Sequence, residues 1–146
     1  MKKFKLAFAC DHAGFQIKEK IMEYLQKKGH IIKDFGAFSQ ESSDYPDFAH
    51  PMASAVEAKK YDFGISFCGS GNGINMCANK HKGIRSAICW NVKIAELART
   101  HNDANICSIP ARFVSVEEAK EIISVFFISR FEGGRHKRRI NKIPIL

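Results

Sequence analysis

The chain has 146 residues, of which 45% are hydrophobic, with 23 Lys and Arg against 15 Asp and Glu for a formal charge of +8. That length and apolar content make one domain with a sizeable core and exclude a disordered chain. No apolar run approaches the roughly 20 residues of a membrane span, so a membrane-spanning chain is excluded as well.

The first fifteen residues, "MKKFKLAFACDHAGF", meet Asp11 and His12 too soon for a signal-peptide core, so the cytoplasm is the expected compartment. "FKLAFAC" reads as a buried strand ending at Asp11. From Gly14 to Lys28 the spacing of Ile17, Ile21 and Leu25 predicts a helix, stopped by Gly29. "HIIKDFG" is a short second strand, and the polar, turn-rich "AFSQESSDYP" is a loop. A helix over about 48–60 places Phe48, Met52 and Val56 on one face. "YDFGISFC" is the third strand and runs straight into "GSGNG", with a short helix over about 73–79. "GIRSAICW" is the fourth strand, 92–101 a helix, and "NICSIPA" the fifth strand. Over 116–131 a wide apolar stripe of Val116, Ala119, Ile123, Phe126 and Phe127 marks a last long helix. "EGG" breaks it before the basic tail "RHKRRINK". Five strands alternating with helices imply an α/β domain over 1–146, a three-layer sandwich with a five-stranded parallel sheet and helices on both faces.

In such folds ligands bind beyond the carboxyl ends of the strands. "CDH", "CGSGNG" and "PARF" follow the first, third and fifth strands, and "HND" closes the helix before the fifth. The glycine run is spaced G-x-G-x-G, which is neither the dinucleotide fingerprint nor a P-loop. It is either a bare turn or a place where backbone N–H groups and a helix start meet an anion. Cys68 lies just before that helix start, where a thiolate is favoured, so it is a base or nucleophile unless it only packs. Cys10, Cys77, Cys89 and Cys107 form no C-x-x-C pair, and neither a disulfide framework nor a zinc site is indicated. His12 and His101 are expected on the same rim as Cys68. Arg112 follows the fifth strand; Arg135 and Arg139, four apart, share a face if the tail is helical, and their forks suit a phosphate dianion. The tail could also meet nucleic acid or an anionic membrane, or simply be solvated; its charges are not interleaved with aromatics. With no metal cluster or cofactor motif, the set fits cofactor-free proton transfer next to a carbonyl on a phosphorylated substrate.

"ACDHAGF", "DYPDFA", "CGSGNGINMCANKHKGIR", "ARTHNDANI", "ARF" and "EGGRHKRRI" resemble, in order and nearly end to end, the type-B ribose-5-phosphate isomerases and the related galactose-6-phosphate isomerase subunits. The resemblance implies a Rossmann-like sheet. It implies a homodimer or tetramer with the active site shared between subunits, the tail from about 133 to 146 completing the interface, and no nucleic-acid or membrane partner. It also implies interconversion of D-ribose 5-phosphate and D-ribulose 5-phosphate, a step of the non-oxidative pentose phosphate pathway, with no cofactor and no metal. Cys68 would then move a proton between C1 and C2 through an enediolate, assisted by Ser70. Gly69, Gly71, Asn72, Gly73 and Asn75 would line the substrate, with the N–H groups from Gly71 to Asn75 holding the oxyanion. His101 would open the furanose ring, Asp11 and Asn102 would hold sugar hydroxyls, and His12, Arg112, Arg135 and Arg139 would grip the phosphate. Many members carry threonine at the position of Ser70, and some carry a basic glutamate at that of Asn75, which throws the proton transfer here onto Cys68. A hexose 6-phosphate of the allose or galactose type is the alternative substrate, and an anion- or nucleic-acid-binding module the alternative class.

Overall fold

A computed structural model describes residues 2–145; Met1 and Leu146, the end positions of the expected domain and tail, lie outside the described residues. The strands are β1 (Lys5–Cys10), β2 (Ile31–Asp34), β3 (Phe63–Cys68), β4 (Ser86–Ile88) and β5 (Ile106–Pro110). The helices are α1 (Phe15–Lys27), α2 (Pro46–Glu57), α3 (Asn72–Ala78), α4 (Val92–Thr100), α5 (Val116–Ile128) and α6 (Arg135–Ile140), with a 3-10 turn at His12–Gly14 before α1. All strand pairs are parallel, in the order β2-β1-β3-β5-β4. The connections diverge between β1 and β3, which opens a crevice beyond their carboxyl ends.

Alternation along each strand splits the core in two. Leu6, Phe8 and Cys10 of β1, with Ile65 and Phe67 of β3, pack under α1, α4 and α5. Ala7 and Ala9 face the other way, under α2 and α3, against Met52, Ala53, Ile74 and Ala78. The small residues on that side let α2 approach closely. At Gly64 a Cβ would lie 2.8 Å from Met52 Sδ and 2.9 Å from Ile106 Cγ1.

Local chemistry sets the element ends. The α5 start is a capping box: Ser115 Oγ accepts from the Glu118 N–H and Glu118 reaches back to the Ser115 N–H. Asn91 caps α4 through Ile94 N–H. α2 begins at Pro46 rather than near Phe48, because proline is preorganised for the first helical turn. β4 is shorter than the expected 83–90. It is an edge strand paired only to β5, and the Asn79 side-chain amide takes up both the N–H and the C=O of Ser86 on its open side. Helix α5 ends at Ile128, before the expected Phe131. The basic tail is helical over Arg135–Ile140, so Arg135 and Arg139 do share a face.

Lys18 is fully buried, and its Nζ lies 2.7 Å from each Asp34 carboxylate oxygen and from the Ala37 carbonyl. With three acceptors its charge is compensated; loss of one partner of such a pair costs about 3–5 kcal/mol.

Candidate active site

Two groups of predicted residues emerge, on opposite edges of the sheet. The first stands at the carboxyl ends of β1, β3 and β5. Cys68 ends β3 opposite Pro110, buried to 5% exposure on the α2/α3 side. Ala111 N–H donates to the Cys68 carbonyl at 2.8 Å and Arg112 N–H to that of Gly69 at 3.0 Å, which clamps the loop after β5 onto the loop after β3. The Arg112 guanidinium lies over Gly69, where a Cβ would come within 3.1 Å of Nη1. Gly71 has φ +80, the left-handed region that favours glycine, and serves as the N-cap of α3.

Two of the expected oxyanion donors are used inside the chain. Asn72 N–H donates to Ser70 Oγ at 3.2 Å, and Asn75 N–H donates to the Gly71 carbonyl at 3.2 Å. The N–H groups of Gly71, Gly73 and Ile74 make no hydrogen bond to another described residue. The Asn75 side chain also has a structural tie. Its Oδ1 accepts from Ser86 Oγ at 2.6 Å, the end of a hydroxyl chain running through Ser108 to Ser66 across β4, β5 and β3.

Asp11 and His12 complete this rim. One Asp11 oxygen, Oδ1, accepts from Ala13 and Gly14 N–H and caps the 3-10 turn. His12 Nδ1 accepts the Ser43 N–H at 3.2 Å, so in the neutral ring the proton sits on Nε2. One wall was not anticipated. The Tyr45 ring lies against Gly73, where a Cβ would fall 2.5 Å from Cζ and 2.8 Å from the hydroxyl oxygen. Tyr45 stands in the "DYPDFA" motif, and a tyrosine ahead of a helix start in a polar loop was the signal that could have marked it.

The second group corrects the expectation that His12 and His101 share one rim. His101 caps the carboxyl end of α4, with its N–H on the Leu97 carbonyl. A helix between parallel strands carries the chain back to the amino edge of the sheet, so His101 and Asn102 precede the start of β5 there. Arg85 Nε holds the Asn102 carbonyl at 2.9 Å beside β4. In register, Cys68 lies opposite Pro110, four residues along β5 from Ile106. That is about 13 Å of strand.

His101 stacks on His136 of α6, with ring centroids 4.1 Å apart and planes 14° apart. Glu132 Oε1 is 3.8 Å from His101 Nε2 and 3.5 Å from His136 Nε2. Burial holds the His136 ring below the usual histidine range, helped by His101 and Arg135 and opposed by Glu132. Arg135 and Arg139 are exposed on the same short helix. The chain therefore brings Asp11, His12, Cys68, the loop from Gly69 to Asn75 and Arg112 together. It separates them from His101, Asn102, Arg135 and Arg139.

Among the remaining thiols, burial pushes Cys10 up to about 11 and raises Cys77 and Cys107 as well, which suits packing rather than reaction.

The sequence profile described as Ribose/Galactose Isomerase matches residues 6–143. Ribose-5-phosphate isomerase B of Escherichia coli (strain K12) is 42% identical over 142 residues, covering 97% of this chain and 95% of its own. The crystal structure of a ribose 5-phosphate isomerase from Thermotoga maritima superposes with a TM-score of 0.96 at 45% identity, covering 98% of this chain and 99% of its own. Ribose-5-phosphate isomerase B from Mycoplasma genitalium, solved with bound ribulose-5-phosphate, superposes with a TM-score of 0.91 at 41% identity, covering 95% of this chain and 93% of its own.

Proposed function

Because the chain belongs to the ribose/galactose isomerase family, we propose that it interconverts D-ribose 5-phosphate and D-ribulose 5-phosphate at a site assembled from both edges of the sheet, one edge from each of two subunits. The observation that carries the shared site is that Cys68 ends β3 at the carboxyl edge while His101 precedes the start of β5 at the amino edge, with about 13 Å of strand between those two levels. In a two-fold dimer that lays the amino edge of one subunit over the carboxyl edge of the other, the contact occurs twice and completes two sites. Exposed Met76, Trp90, Val92 and Ile143 supply apolar surface for such a contact. The names of the relatives support the ribose pair over a hexose 6-phosphate or a bare anion-binding module.

The chemistry follows from the residues. His101 of one subunit moves the proton from the anomeric hydroxyl to the ring oxygen and opens the furanose. Cys68 of the other takes the proton from C2 and returns it to C1, assisted by the Ser70 hydroxyl. The enediolate oxygen is met by the N–H groups of Gly71, Gly73 and Ile74; a donor of this kind is worth about 3 kcal/mol. Asp11, through the oxygen not used in capping, and Asn102 hold sugar hydroxyls. The phosphate sits among His12 Nε2–H, Arg112, and Arg135 and Arg139 from the opposite edge. No helix of the described residues is long and apolar enough to cross a membrane, and the cytoplasm is the compartment that fits this metabolism.

The test is an isomerase assay on ribose 5-phosphate. Cys68→Ala abolishes turnover of cyclic and open-chain sugar alike, a loss on the order of 10²–10⁴ for a general base. His101→Ala loses activity mainly on the cyclic form. Wild-type protein that turns over no sugar phosphate, yet binds nucleic acid at physiological salt, would overturn the reading.

A further inference from the structure

We infer that a cavity of about 590 Å³ at the amino edge of the sheet is a binding site for a small aromatic anion, a flat ring carrying a negative group. It opens between the starts of β1 and β3 and the ends of α4 and α5, on the side of the sheet away from α2 and α3. Its size is that of an ordinary small-molecule pocket. None of the residues assigned to proton transfer, ring opening or the phosphate lines it; His101 leaves α4 two residues beyond Arg99 and faces elsewhere, onto His136.

The wall is aromatic. The Phe63 and Phe127 rings stack with centroids 5.8 Å apart and planes 22° apart, and Phe4 meets Phe63 edge-on at 5.3 Å. Such faces suit a flat apolar body. The titratable groups of the lining are all nitrogen donors. His30 is buried to 5% exposure, with its ring parallel to that of Phe4. Its Nδ1 accepts the Phe4 N–H at 3.1 Å, so the neutral ring carries its proton on Nε2, and Nε2–H donates to no described residue. Arg99 spends Nη1 on Asp103 Oδ1 and the Ala104 carbonyl, at 3.0 and 2.6 Å, while its Nε–H is buried without an acceptor among the described residues. Donors left in that state want an oxygen to receive them. Lys2 and Arg130 are exposed members of the lining, and no Asp or Glu lines the cavity. Asp103 offsets the Arg99 charge, so Lys2 and Arg130 supply the attraction for a negative group, and His30 and Arg99 its hydrogen bonds.

The site stands without the isomerase reading. The probe is 2-naphthoate, titrated calorimetrically into the full-length protein, with neutral 2-naphthol beside it. One naphthoate per chain is expected, bound about tenfold or more tighter than naphthol. His30→Phe keeps the ring stack and removes the donor, and should weaken naphthoate by about tenfold. Ile128→Glu and Arg130→Gln change exposed residues of the lining and should each weaken naphthoate by about threefold while sparing naphthol; they keep the test readable if His30→Phe fails to fold. Ribose 5-phosphate should not displace the probe. Absence of saturable binding overturns the site. Equal affinity for naphthol, or naphthoate affinity unchanged in both exposed variants, reduces it to an apolar patch and overturns it too. Displacement by ribose 5-phosphate would put the ligand among the substrate-binding residues and overturn it as well. A protein that binds naphthoate as expected yet turns over no sugar phosphate would leave this site standing and strike the functional reading instead.

Discussion

If Cys68 and His101 act on one sugar, subunits that each lack one of them should rescue each other. Four residues of β5 at ~3.3 Å each separate the level of Ile106 from that of Cys68 and Pro110, about 13 Å in all. That gap exceeds the reach of an imidazole, so no rearrangement of side chains within one chain closes it. In the proposed two-fold dimer each site would take Cys68 from one subunit and His101 from the other. Cys68→Ala and His101→Ala homodimers each carry one lesion in both sites. A mixed dimer gathers both lesions into one site and leaves the other intact. With random association about half the dimers are mixed, so a 1:1 mixture regains about one quarter of wild-type activity and purified mixed dimers about one half. Against parents reduced on the order of 10²-fold or more, that recovery is unmistakable. The assay is ketose formation from ribose 5-phosphate after co-refolding differently tagged subunits. Tagged mixed dimers that form but stay as inactive as their parents would refute the shared site.

The glycine loop and the buried thiols give two further expectations. Gly73→Ala places a Cβ 2.5 Å from Tyr45 Cζ, so the ring has to leave the loop. Steady-state kinetics should show kcat/KM lower by about tenfold, the equivalent of about 1.4 kcal/mol of overpacking, and pairing it with Tyr45→Ala should restore the loop conformation; an unchanged kcat/KM removes Tyr45 from the site wall. Burial raises the Cys10 thiol from its ordinary 9.0 to about 11. Its neutral form is the folded form, so its contribution is fully present below pH 9 and is lost as the pH rises toward 11. The loss is roughly 2 kcal/mol. Urea denaturation at fixed protein concentration should show this alkaline slope flatten in Cys10→Ala, and an identical slope in that variant refutes the assignment.

Much of the fold was legible because it rests on local periodicity. The stripe of Ala119, Ile123 and Phe126 reads as α5, and the apolar run of β1 reads as a buried strand, whose residues the structure then divides between two helical layers. The boundaries that moved did so for reasons outside each segment. β4 is short because only β5 pairs with it, and α2 starts at Pro46 because proline suits the first turn. In the site, "CGSGNG" was legible as a strand-to-helix loop, and the left-handed Gly71 accords with it. Tyr45 was not, since its role depends on a contact with Gly73 across 28 positions.

By itself the sequence determined which elements form, which polar and reactive residue types stand in each loop and, through its motifs, the family. It also contained the clue that "HND" closes a helix before a strand, and in a parallel sheet such a residue lies on the amino edge. Only the tertiary structure decided that the predicted site falls into two halves, that Asn72 and Asn75 spend their N–H groups inside the chain, and that His101 meets His136 and Glu132. The physical reason is one of range. Periodicity and turn chemistry act over a few residues, whereas a stack across 35 positions or a tie from Asn75 through Ser86 to Ser66 exists only once the packed sheet has placed those side chains side by side.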